Sequence, residues 1–455
     1  MPNLVLDTNI ILLDANNIIT LGANGNVVIL PETVVDELDS KKNGTSEIAY
    51  QARSFGRLIA RATELPIENK AGMIIAPLEV DDIRIKIVSL DKYDIPQDVD
   101  PKNLNDRRII EVAKRLSTFY NDLTFMSNDT MCRIRARTLG LTVSDFKYVD
   151  KTNFEFTIHQ HVDLDTFKCL HGAHITEVNP EHSNENFNYI FTADGTEQVK
   201  LATISNGIIN ILGKDTERDL RRQDINPVNR EQLLLSKAIQ DDAVDIVVCE
   251  ALAGSGKTLI SMSNAIKLVR QKKYKGIIYF RASVDDVDDV EAVGYLSGNE
   301  EKFAVYSGPL DDTLDTIARN RNKASKLKAE DYELKIAEVV EEIREKCNIE
   351  FMTGLGMRGR TFDDVVFIMD EAQGQTAASF QKTVTRIGKN CKLIILGSNR
   401  QIDNKYLTKF TNGLSKVMND CTVISDKVAK HAVTLVKVER GGIAEWGENL
   451  FTKKD

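Results

Sequence analysis

The sequence predicts an α/β protein with a mostly parallel, doubly wound sheet at its amino end, a small β-rich connector and a second α/β region. Three observations predict this fold class. Residues 1–150 alternate β-rich runs with helical periodicity, which is typical of parallel sheets. In residues 151–225, short β-like runs are separated by Asn, Gly and Asp. Strand-like and helix-like runs alternate again in residues 226–455.

Length and composition agree with this division. A chain of 455 residues is too long for one ordinary core, and 42% hydrophobic with 28% charged residues is typical of soluble globular proteins. We recognise neither a membrane-spanning run nor a secretory leader, so we expect a cytoplasmic protein. Six cysteines without a C-x-x-C pair fit a reducing compartment. A formal net charge of -9 argues against an overall basic coat for nucleic acid, so such contacts must rely on local patches.

The amino-terminal elements follow one another in strand–helix alternation. The predicted strands are "NLVL", "NVVIL" and "LTFMS", and the predicted helices are "SEIAYQARSFGRLIARA", "RRIIEVAKRL" and "CRIRARTLG". Between them, "MIIAPLEVDDIRIKIVSL" predicts an added hairpin or extended excursion.

The connector contributes the β-like runs "FNYIFTAD", "VKLATI" and "IINILG". Beyond it, "REQLLLSKAI" predicts a helix, and "DIVVCEAL", "KGIIYF", "VVFIMD" and "KLIILG" predict buried strands. A charged helical insert spans residues 311–346, and no internal repeat of fixed period is present.

The run "ALAGSGKT" follows a predicted strand and opens a predicted helix, which is the context of a phosphate-binding loop. Glycines let backbone amides approach phosphates, the Lys reaches the β and γ phosphates, and the Thr offers its hydroxyl to magnesium. An Ala in place of the usual first Gly is tolerable where a strand ends with φ below zero. A glycine-rich turn with a capping Thr is the alternative. The candidate nucleotide-binding residues are Ala251, Gly254, Ser255, Gly256, Lys257 and Thr258.

Two further strand ends carry polar residues. Asp370 and Glu371 follow "VVFIM", where the first can hold magnesium and the second can activate the attacking water. The run "LIILGSNRQID" places Ser398, Gln401 and Asp403 on another loop, and Gln401 is a candidate sensor of the γ phosphate. ATP hydrolysis is the chemistry that this set predicts.

The motifs "ALAGSGKT", "RGRTFDDVVFIMDEAQ", "TRIG" and "GSNRQID" resemble those of the PhoH-type ATPases, relatives of superfamily 1 helicases. The resemblance spans residues 226–446 and keeps several motifs in order, which is more specific than a phosphate loop alone. It implies a RecA-like P-loop ATPase core in residues 226–455. It also implies ATP and Mg²⁺ as cofactors, RNA as a partner and a homo-oligomeric, hexameric ring with ATP at the subunit interfaces.

The resemblance assigns further candidates. "NREQ" is similar to the helicase Q motif, which would place Gln232 against adenine. Arg281 lies where the family contacts nucleic acid or nucleotide. An arginine of the "RGRT" or "VER" stretch would complete a neighbouring subunit's site in trans, and the candidates are Arg358, Arg360 and Arg440. The chain departs from the family pattern at Ala251 and at residues 398–399, which bears on the details of nucleotide sensing.

PhoH-type ATPases occur fused to an amino-terminal PIN-type nuclease domain, and the resemblance therefore implies an acidic set in residues 1–150. Each candidate lies near a strand end or a helix start on one predicted sheet edge. The predicted catalytic and metal-binding residues are Asp7, Glu37, Asp106 and Asp129, with Asn9 and Ser127 as residues that orient water.

Such a cluster needs a cation, because converging carboxylates cannot all ionise cheaply. Hard oxygen ligands suit Mg²⁺ or Mn²⁺, and one or two ions would activate water and stabilise the leaving oxygen of a phosphodiester. Taken singly, each acid has a structural alternative as a helix cap, a turn residue or a solvated surface acid.

Basic residues and histidines have weaker patterns. Arg133 and Arg137 share a helical face beside Asp129, where they suit phosphates or simply solvent. The basic run of residues 318–328 could track a single strand. Five of the six histidines fall in residues 159–182 with Cys169, but they match no common zinc pattern, so we expect polar loop residues.

The leading hypothesis is an ATP-dependent RNA helicase or remodelling motor that feeds RNA to a metal-dependent PIN-type endoribonuclease. The preference for RNA comes from the family resemblance. The contrasting hypothesis is a nucleotide-switched, RNA-binding oligomeric scaffold whose PIN-type domain is inactive.

Overall fold

The computed structural model describes residues 2–23, 25–43, 47–95, 100–146, 155–179, 187–205, 207–281, 299–323, 328–354, 356–357, 359–402, 407, 412–421, 427–443 and 446–447. The chain divides into two compact units, Met1–Asp150 and Lys151–Asp455. Among the described helices, none combines the length and apolar composition that crossing a bilayer requires.

The amino-terminal unit alternates strands and helices. Its strands are β1 (Asn3–Leu6), β2 (Val27–Pro31), β3 (Thr63–Glu64), β4 (Glu68–Lys70), β5 (Met73–Val80), β6 (Ile83–Leu90), β7 (Leu123–Met126) and β8 (Val143–Ser144). Its helices are α1 (Thr8–Leu13), α2 (Asn17–Gly22), α3 (Glu32–Lys41), α4 (Glu47–Ile59), α5 (Leu104–Ser117) and α6 (Thr130–Thr138).

The sheet of this unit has the strand order β3-β5-β6-β2-β1-β7-β8, and β4 also pairs with β5. Strands β6, β2, β1, β7 and β8 are parallel, so their carboxyl ends meet at one edge. The predicted hairpin is confirmed, because β5 and β6 pair antiparallel. Asp81 and Asp82 form its turn with φ of +47° and +63°, the backbone that a tight two-residue hairpin needs.

The carboxyl-terminal unit contains two sheets and their helices. Its strands are β9 (Thr157–Val162), β10 (Asn188–Ala193), β11 (Val199–Ser205), β12 (Ile208–Ile211), β13 (Ile246–Ala251), β14 (Gly276–Arg281), β15 (Ile349–Met352), β16 (Val365–Asp370), β17 (Lys392–Gly397) and β18 (Lys430–Leu435). Its helices are α7 (Leu164–Cys169), α8 (Ile175–Val178), α9 (Lys214–Leu220), α10 (Arg230–Gln240), α11 (Lys257–Arg270), α12 (Asn299–Arg321), α13 (Ala329–Lys346), α14 (Ala377–Val384) and α15 (Gly413–Cys421).

The larger sheet of this unit is parallel throughout, with the order β15-β14-β16-β17-β13-β18. Its central strands β16 and β17 are continuous apolar runs that are buried along their whole length, as expected for strands covered on both faces. The loop after β13, the acids after β16 and the loop after β17 therefore share the carboxyl edge. This is the edge where open α/β sheets bind ligands.

The connector sheet has the order β12-β11-β10-β9 and joins the core of the larger sheet. The buried Asn188 side chain donates to the Ala432 carbonyl at 2.7 Å and pairs with the His431 ring at 2.8 Å. The Thr157 hydroxyl accepts from the Thr434 amide at 3.1 Å. Residues 151–225 are thus integrated with residues 226–455 through strand β18 and its neighbours.

Both arginines of the basic run of residues 318–328 are paired with acids of the chain itself. The Arg319 guanidinium binds Glu333 at 2.6 Å and Asp315 at 2.6 Å. Arg321 forms a two-pronged ion pair with Asp224, whose exposed side-chain fraction is only 15%. The hypothesis of a continuous phosphate track therefore loses both of these arginines, and residues 324–327 lie outside the described ranges.

Candidate functional sites

The phosphate loop connects β13 to α11 and depends on two glycines. Gly254 and Gly256 have φ of +73° and +85°, which side chains rarely tolerate. A Cβ on Gly254 would lie 2.9 Å from the Arg440 Cβ, and one on Gly256 would lie 2.9 Å from the Gln232 Nε2. Gly256 precedes α11 without a side-chain cap, so the first helix amides stay available for an anion.

Asp370 is held rigidly beside this loop. Its Oδ2 accepts hydrogen bonds from the Thr258 hydroxyl at 2.9 Å and from the Tyr279 hydroxyl at 2.7 Å. Its Oδ1 accepts from the Glu371 amide at 3.0 Å. The structure thus brings together Thr258 and Asp370, the two predicted magnesium-holding residues of this site. Their hydroxyl and carboxylate oxygens are hard donors that fit Mg²⁺.

Glu371 lies between the loop lysine and a glutamine that the sequence interpretation did not single out. Its Oε1 is 3.9 Å from the Lys257 Nζ, and its Oε2 accepts from the Gln373 amide at 2.6 Å. The Glu371 backbone has a left-handed φ of +55°, a strained conformation that sets the direction of its side chain.

Gln373 also holds the loop that follows β17. Its Nε2 donates to the Gln401 carbonyl at 2.9 Å, and its Oε1 accepts from the Ser398 amide at 3.0 Å. The Gln401 backbone is therefore linked to Glu371 through the Gln373 side chain, while Gln401 itself is exposed. Asp403 lies outside the described residues. The only sequence signal for Gln373 was its place in "DEAQ".

The departure from the family pattern at residues 398–399 has a partner on β13. Burial raises the pKa of Glu250 to about 7, against hydrogen bonds from Asn399 and the charge of Arg400, which lower it. The uncharged side chain of Asn399 thus donates to the carboxyl group of Glu250, the residue before Ala251.

Gln232 contacts the phosphate loop directly. It lies in the first turn of α10, where the Asn229 side chain caps its amide at 2.9 Å. Its Nε2 donates to the Ser255 carbonyl at 2.8 Å, and its Oε1 accepts from the Val228 amide at 2.9 Å. One amide hydrogen and one lone pair remain for adenine, so the predicted base contact is still a prediction.

The candidate arginines lie in different surroundings. The Arg440 amide donates to the Gly254 carbonyl at 3.1 Å, so this exposed residue lies at the phosphate loop of its own chain. Arg281 ends β14 and is the register partner of Asp370. Arg360 is bound to Glu350 at 3.0 Å and lies 5.0 Å from the Phe362 ring centroid. Arg358 lies outside the described residues.

In the amino-terminal unit, Asp7 follows β1 and is 5% exposed. Its Oδ1 caps α1 by accepting from the Thr8 amide at 2.7 Å. Its Oδ2 accepts from the Ser127 hydroxyl at 2.5 Å and from the Asn9 amide at 2.7 Å. Asn9 and Ser127, predicted to orient water, thus hold the Asp7 carboxylate itself.

The other three acids each have a partner within the chain. Glu37 accepts from the Asn105 amide at 2.7 Å and from the Thr8 hydroxyl. Asp106 binds the Arg135 guanidinium at 3.0 Å. Asp129 caps α6 by accepting from the Met131 amide at 2.7 Å. Each of these acids therefore has a structural role, as a helix cap or as a partner in a hydrogen bond or ion pair, and is also a candidate metal ligand.

The four acids are close enough to influence one another. Burial raises the pKa of Asp7 to about 6, and the charges of Asp106 and Glu37 add to this against the Ser127 and Thr8 hydrogen bonds. Burial also raises the pKa of Asp106, opposed by Arg135 and supported by Asp129 and Glu37. The oxygen donors of these carboxylates fit a hard divalent cation.

These acids are not gathered into a ready coordination shell. Over the part of the chain that the structure describes, no group of three or more His, Cys, Asp or Glu side chains is arranged to hold a metal ion. The Arg135 side chain, one of the three arginines that follow Asp129 in the sequence, instead neutralises Asp106 and donates to Asn103 at 3.1 Å. A metal ion at Asp106 Oδ2 would therefore compete with Arg135 for this oxygen.

Among the described residues, the other basic residues and the histidines that the sequence drew attention to lie at the surface or bind groups of the chain itself. Arg133 donates to the Ser127 carbonyl at 2.6 Å, and Arg137 is exposed. His159 and His161 lie on strand β9, whereas we expected loop residues. Both side chains are exposed, because alternate side chains of a strand point to opposite faces. Their carboxylate neighbours are Glu231 at 3.8 Å and Asp194 at 3.6 Å. His182 lies outside the described residues.

Two family models match the chain, "PhoH-like protein" over residues 224–452 and "PIN domain" over residues 4–147. "Protein PhoH2" of Bacillus subtilis is 27% identical, with 98% of this chain and 99% of the relative covered. "Protein PhoH2" of Thermobispora bispora is 22% identical, with 97% and 94% covered. "Protein PhoH" of Escherichia coli is 34% identical over 41% of this chain and 48% of its own length. Similarity to the first two relatives therefore extends across both units.

Proposed function

The chain belongs to the PhoH-like protein family and carries a PIN domain at its amino end, and from this premise we propose that it hydrolyses ATP to remodel or unwind RNA that its PIN domain cleaves. The observation that carries the proposal is the convergence of Lys257, Thr258, Asp370 and Glu371 at one sheet edge. A phosphate loop, a magnesium-holding carboxylate and a general base are the parts that ATP hydrolysis needs.

Binding of ATP would change the contact between Lys257 and Glu371. The lysine is 3.9 Å from Glu371 Oε1, a long ion pair, and the β and γ phosphates offer it more negative charge. Mg²⁺, held through Thr258 and Asp370, would supply neutralisation of the phosphate charge. Once Lys257 turns to the phosphates, Oε1 of Glu371 is the oxygen left to accept a proton from the attacking water, because Gln373 holds Oε2.

The proposed nuclease reaction uses the acids of the PIN domain. Mg²⁺ or Mn²⁺, held by Asp7, Glu37, Asp106 and Asp129, would activate water and stabilise the leaving oxygen of a phosphodiester. Ser127 and Asn9 fix the orientation of the Asp7 carboxylate by two hydrogen bonds. Arg135 is placed to exchange Asp106 for a backbone phosphate of the substrate, since an arginine fork suits both groups.

We further propose that the motor works as a homo-oligomeric ring, hexameric as in the family resemblance, with RNA as its substrate. The proposal of a ring rests on the family resemblance. Arg440 adjoins the phosphate loop of its own chain, where an arginine can stabilise transition-state charge in cis.

One observation favours the second candidate, a nucleotide-switched RNA-binding scaffold. Arg135, Asn105 and helix amides already engage all four PIN acids, and metal binding must compete with these contacts. Under this alternative the ATP site would control assembly and the PIN domain would hold RNA without cutting it.

The test compares Lys257→Ala and Asp129→Asn with the parent. Lys257→Ala should abolish ATP hydrolysis, whereas Asp129→Asn should abolish RNA cleavage and spare hydrolysis. Asn is itself a good helix cap, so Asp129→Asn should leave α6 folded. Lys273→Ala and Asp165→Asn, which change surface ion pairs, are matched controls. If the parent with Mg²⁺ or Mn²⁺ never cuts single-stranded or overhanging RNA, the nuclease assignment is wrong and the scaffold gains support.

A further inference from the structure

The carboxylate of Asp370 accepts three hydrogen bonds from three different elements. The Thr258 hydroxyl on α11 and the Tyr279 hydroxyl on β14 both donate to Oδ2, at 2.9 Å and 2.7 Å. The Glu371 amide donates to Oδ1 at 3.0 Å. Each carboxylate oxygen has two lone pairs. Oδ2 is therefore saturated, and Oδ1 alone can accept one further donor.

The surroundings of Tyr279 fix its hydroxyl as a hydrogen-bond donor to Asp370. It is fully buried, with its ring centroid 6.3 Å from that of Phe351. The register of β14 on β16 sets Tyr279 beside Ile368 and brings Arg281 beside Asp370. A tyrosine hydroxyl is protonated at neutral pH, so it meets the Asp370 carboxylate as a hydrogen-bond donor.

Packing alone does not account for this hydroxyl. Phe280 and Phe367 fill neighbouring positions on β14 and β16 with phenyl rings, centroid to centroid at 6.1 Å. A phenylalanine would fill the space of the Tyr279 ring equally well. A buried hydroxyl without a partner is costly, so its presence here depends on the carboxylate that it meets.

We propose that Tyr279 is a positioning residue for magnesium-dependent nucleotide binding, in which its hydroxyl fixes Asp370 so that Oδ1 is the oxygen available to a magnesium-bound water. The inference rests on the proposed ATPase site and adds to it a residue that touches neither nucleotide nor metal. Without the hydroxyl, Oδ2 regains a free lone pair and the carboxylate loses one of its two side-chain anchors. Mg²⁺ should then bind less favourably while the phosphate loop keeps its shape.

The test uses the full chain and a fluorescent, non-hydrolysable ATP analogue. Parent, Tyr279→Phe and Tyr189→Phe are compared, the last removing a hydroxyl from another fully buried tyrosine of the same unit. Analogue affinity is measured first in EDTA and then during a Mg²⁺ titration. For Tyr279→Phe we expect unchanged affinity in EDTA and an about tenfold higher Mg²⁺ midpoint, the loss expected for one hydrogen bond to a charged group. Saturating Mg²⁺ should restore the parent's affinity, and Tyr189→Phe should titrate like the parent.

The outcomes separate this inference from the function on which it rests. If Mg²⁺ strengthens analogue binding equally in the parent and in Tyr279→Phe, the positioning role is wrong and the ATPase site stands. If Tyr279→Phe weakens binding as much in EDTA as in Mg²⁺, the hydroxyl supports the loop in general, and the proposed role is again wrong. If the parent does not bind the analogue, the proposed ATPase function fails and takes this inference with it.

Discussion

Neutralising Asp7 should stabilise the junction of β1 and β7 when no metal is present. The perturbation is Asp7→Asn, which keeps the helix-capping oxygen and removes the charge. Because the folded-state pKa is raised from 3.8 to about 6, the ionised carboxylate destabilises the folded unit above this range. At pH 7 the cost is about 3 kcal/mol, from 1.36 kcal/mol for each pH unit between the two pKa values.

The sign follows from proton binding. The folded state binds a proton more tightly than the unfolded state, so stability rises as pH falls through about 6 towards 3.8. Between pH 7 and pH 5 the parent in EDTA should gain about 1.3 kcal/mol, or roughly ninefold greater protection from hydrogen exchange. Asp7→Asn should show no such gain. Mn²⁺ at pH 7 should raise protection in the parent alone.

Hydrogen exchange read by mass spectrometry provides a local assay. The Asp7 amide donates to the Met126 carbonyl at 2.9 Å, so peptides from β1 and β7 report the opening of this strand pair. Protection is compared at pH 7 and pH 5 after correction for intrinsic exchange rates. Equal protection of these peptides in the parent at the two pH values would refute the reasoning about Asp7 burial.

Three further predictions follow from single contacts. Gln373→Ala should lower kcat for ATP about tenfold with little change in KM, because Glu371 Oε2 loses its donor; a change in KM alone in steady-state assays would contradict this. Gly256→Ala should abolish nucleotide binding measured by calorimetry, since the φ of Gly256 is +85° and the Gln232 side chain blocks the new Cβ. Gly308→Ala is the control and should bind nucleotide normally, because the space around its new Cβ is open. Arg135→Gln should tighten Mn²⁺ binding about threefold by freeing Asp106, and an unchanged calorimetric Kd would exclude Arg135 as a competitor.

Much of the fold was predictable because its signals are local. Apolar runs of strand length bounded by turn residues located the central strands of both parallel sheets. The run "MIIAPLEVDDIRIKIVSL" likewise indicated a hairpin, since apolar and polar residues alternate on both sides of its two aspartates. The integration of the connector was not predictable, because the Asn188 side chain meets a strand 244 positions later in the chain.

The sequence by itself determined the chemistry of the sites: the glycines and lysine of the phosphate loop, the acids after β16, and the carboxylates at the strand and helix ends of the PIN domain. These site residues could be recognised from their type and from their spacing along the chain, because each motif depends on the local backbone that its own residues adopt. Only the tertiary structure decided which partner each polar side chain has. Tyr279 and Asp370 are 91 positions apart, yet their strands pair and a hydroxyl meets a carboxylate at 2.7 Å. Hydrogen bonds and ion pairs depend on distances of a few ångströms that folding sets, and so Tyr279, Gln373 and Arg135 acquired their roles there.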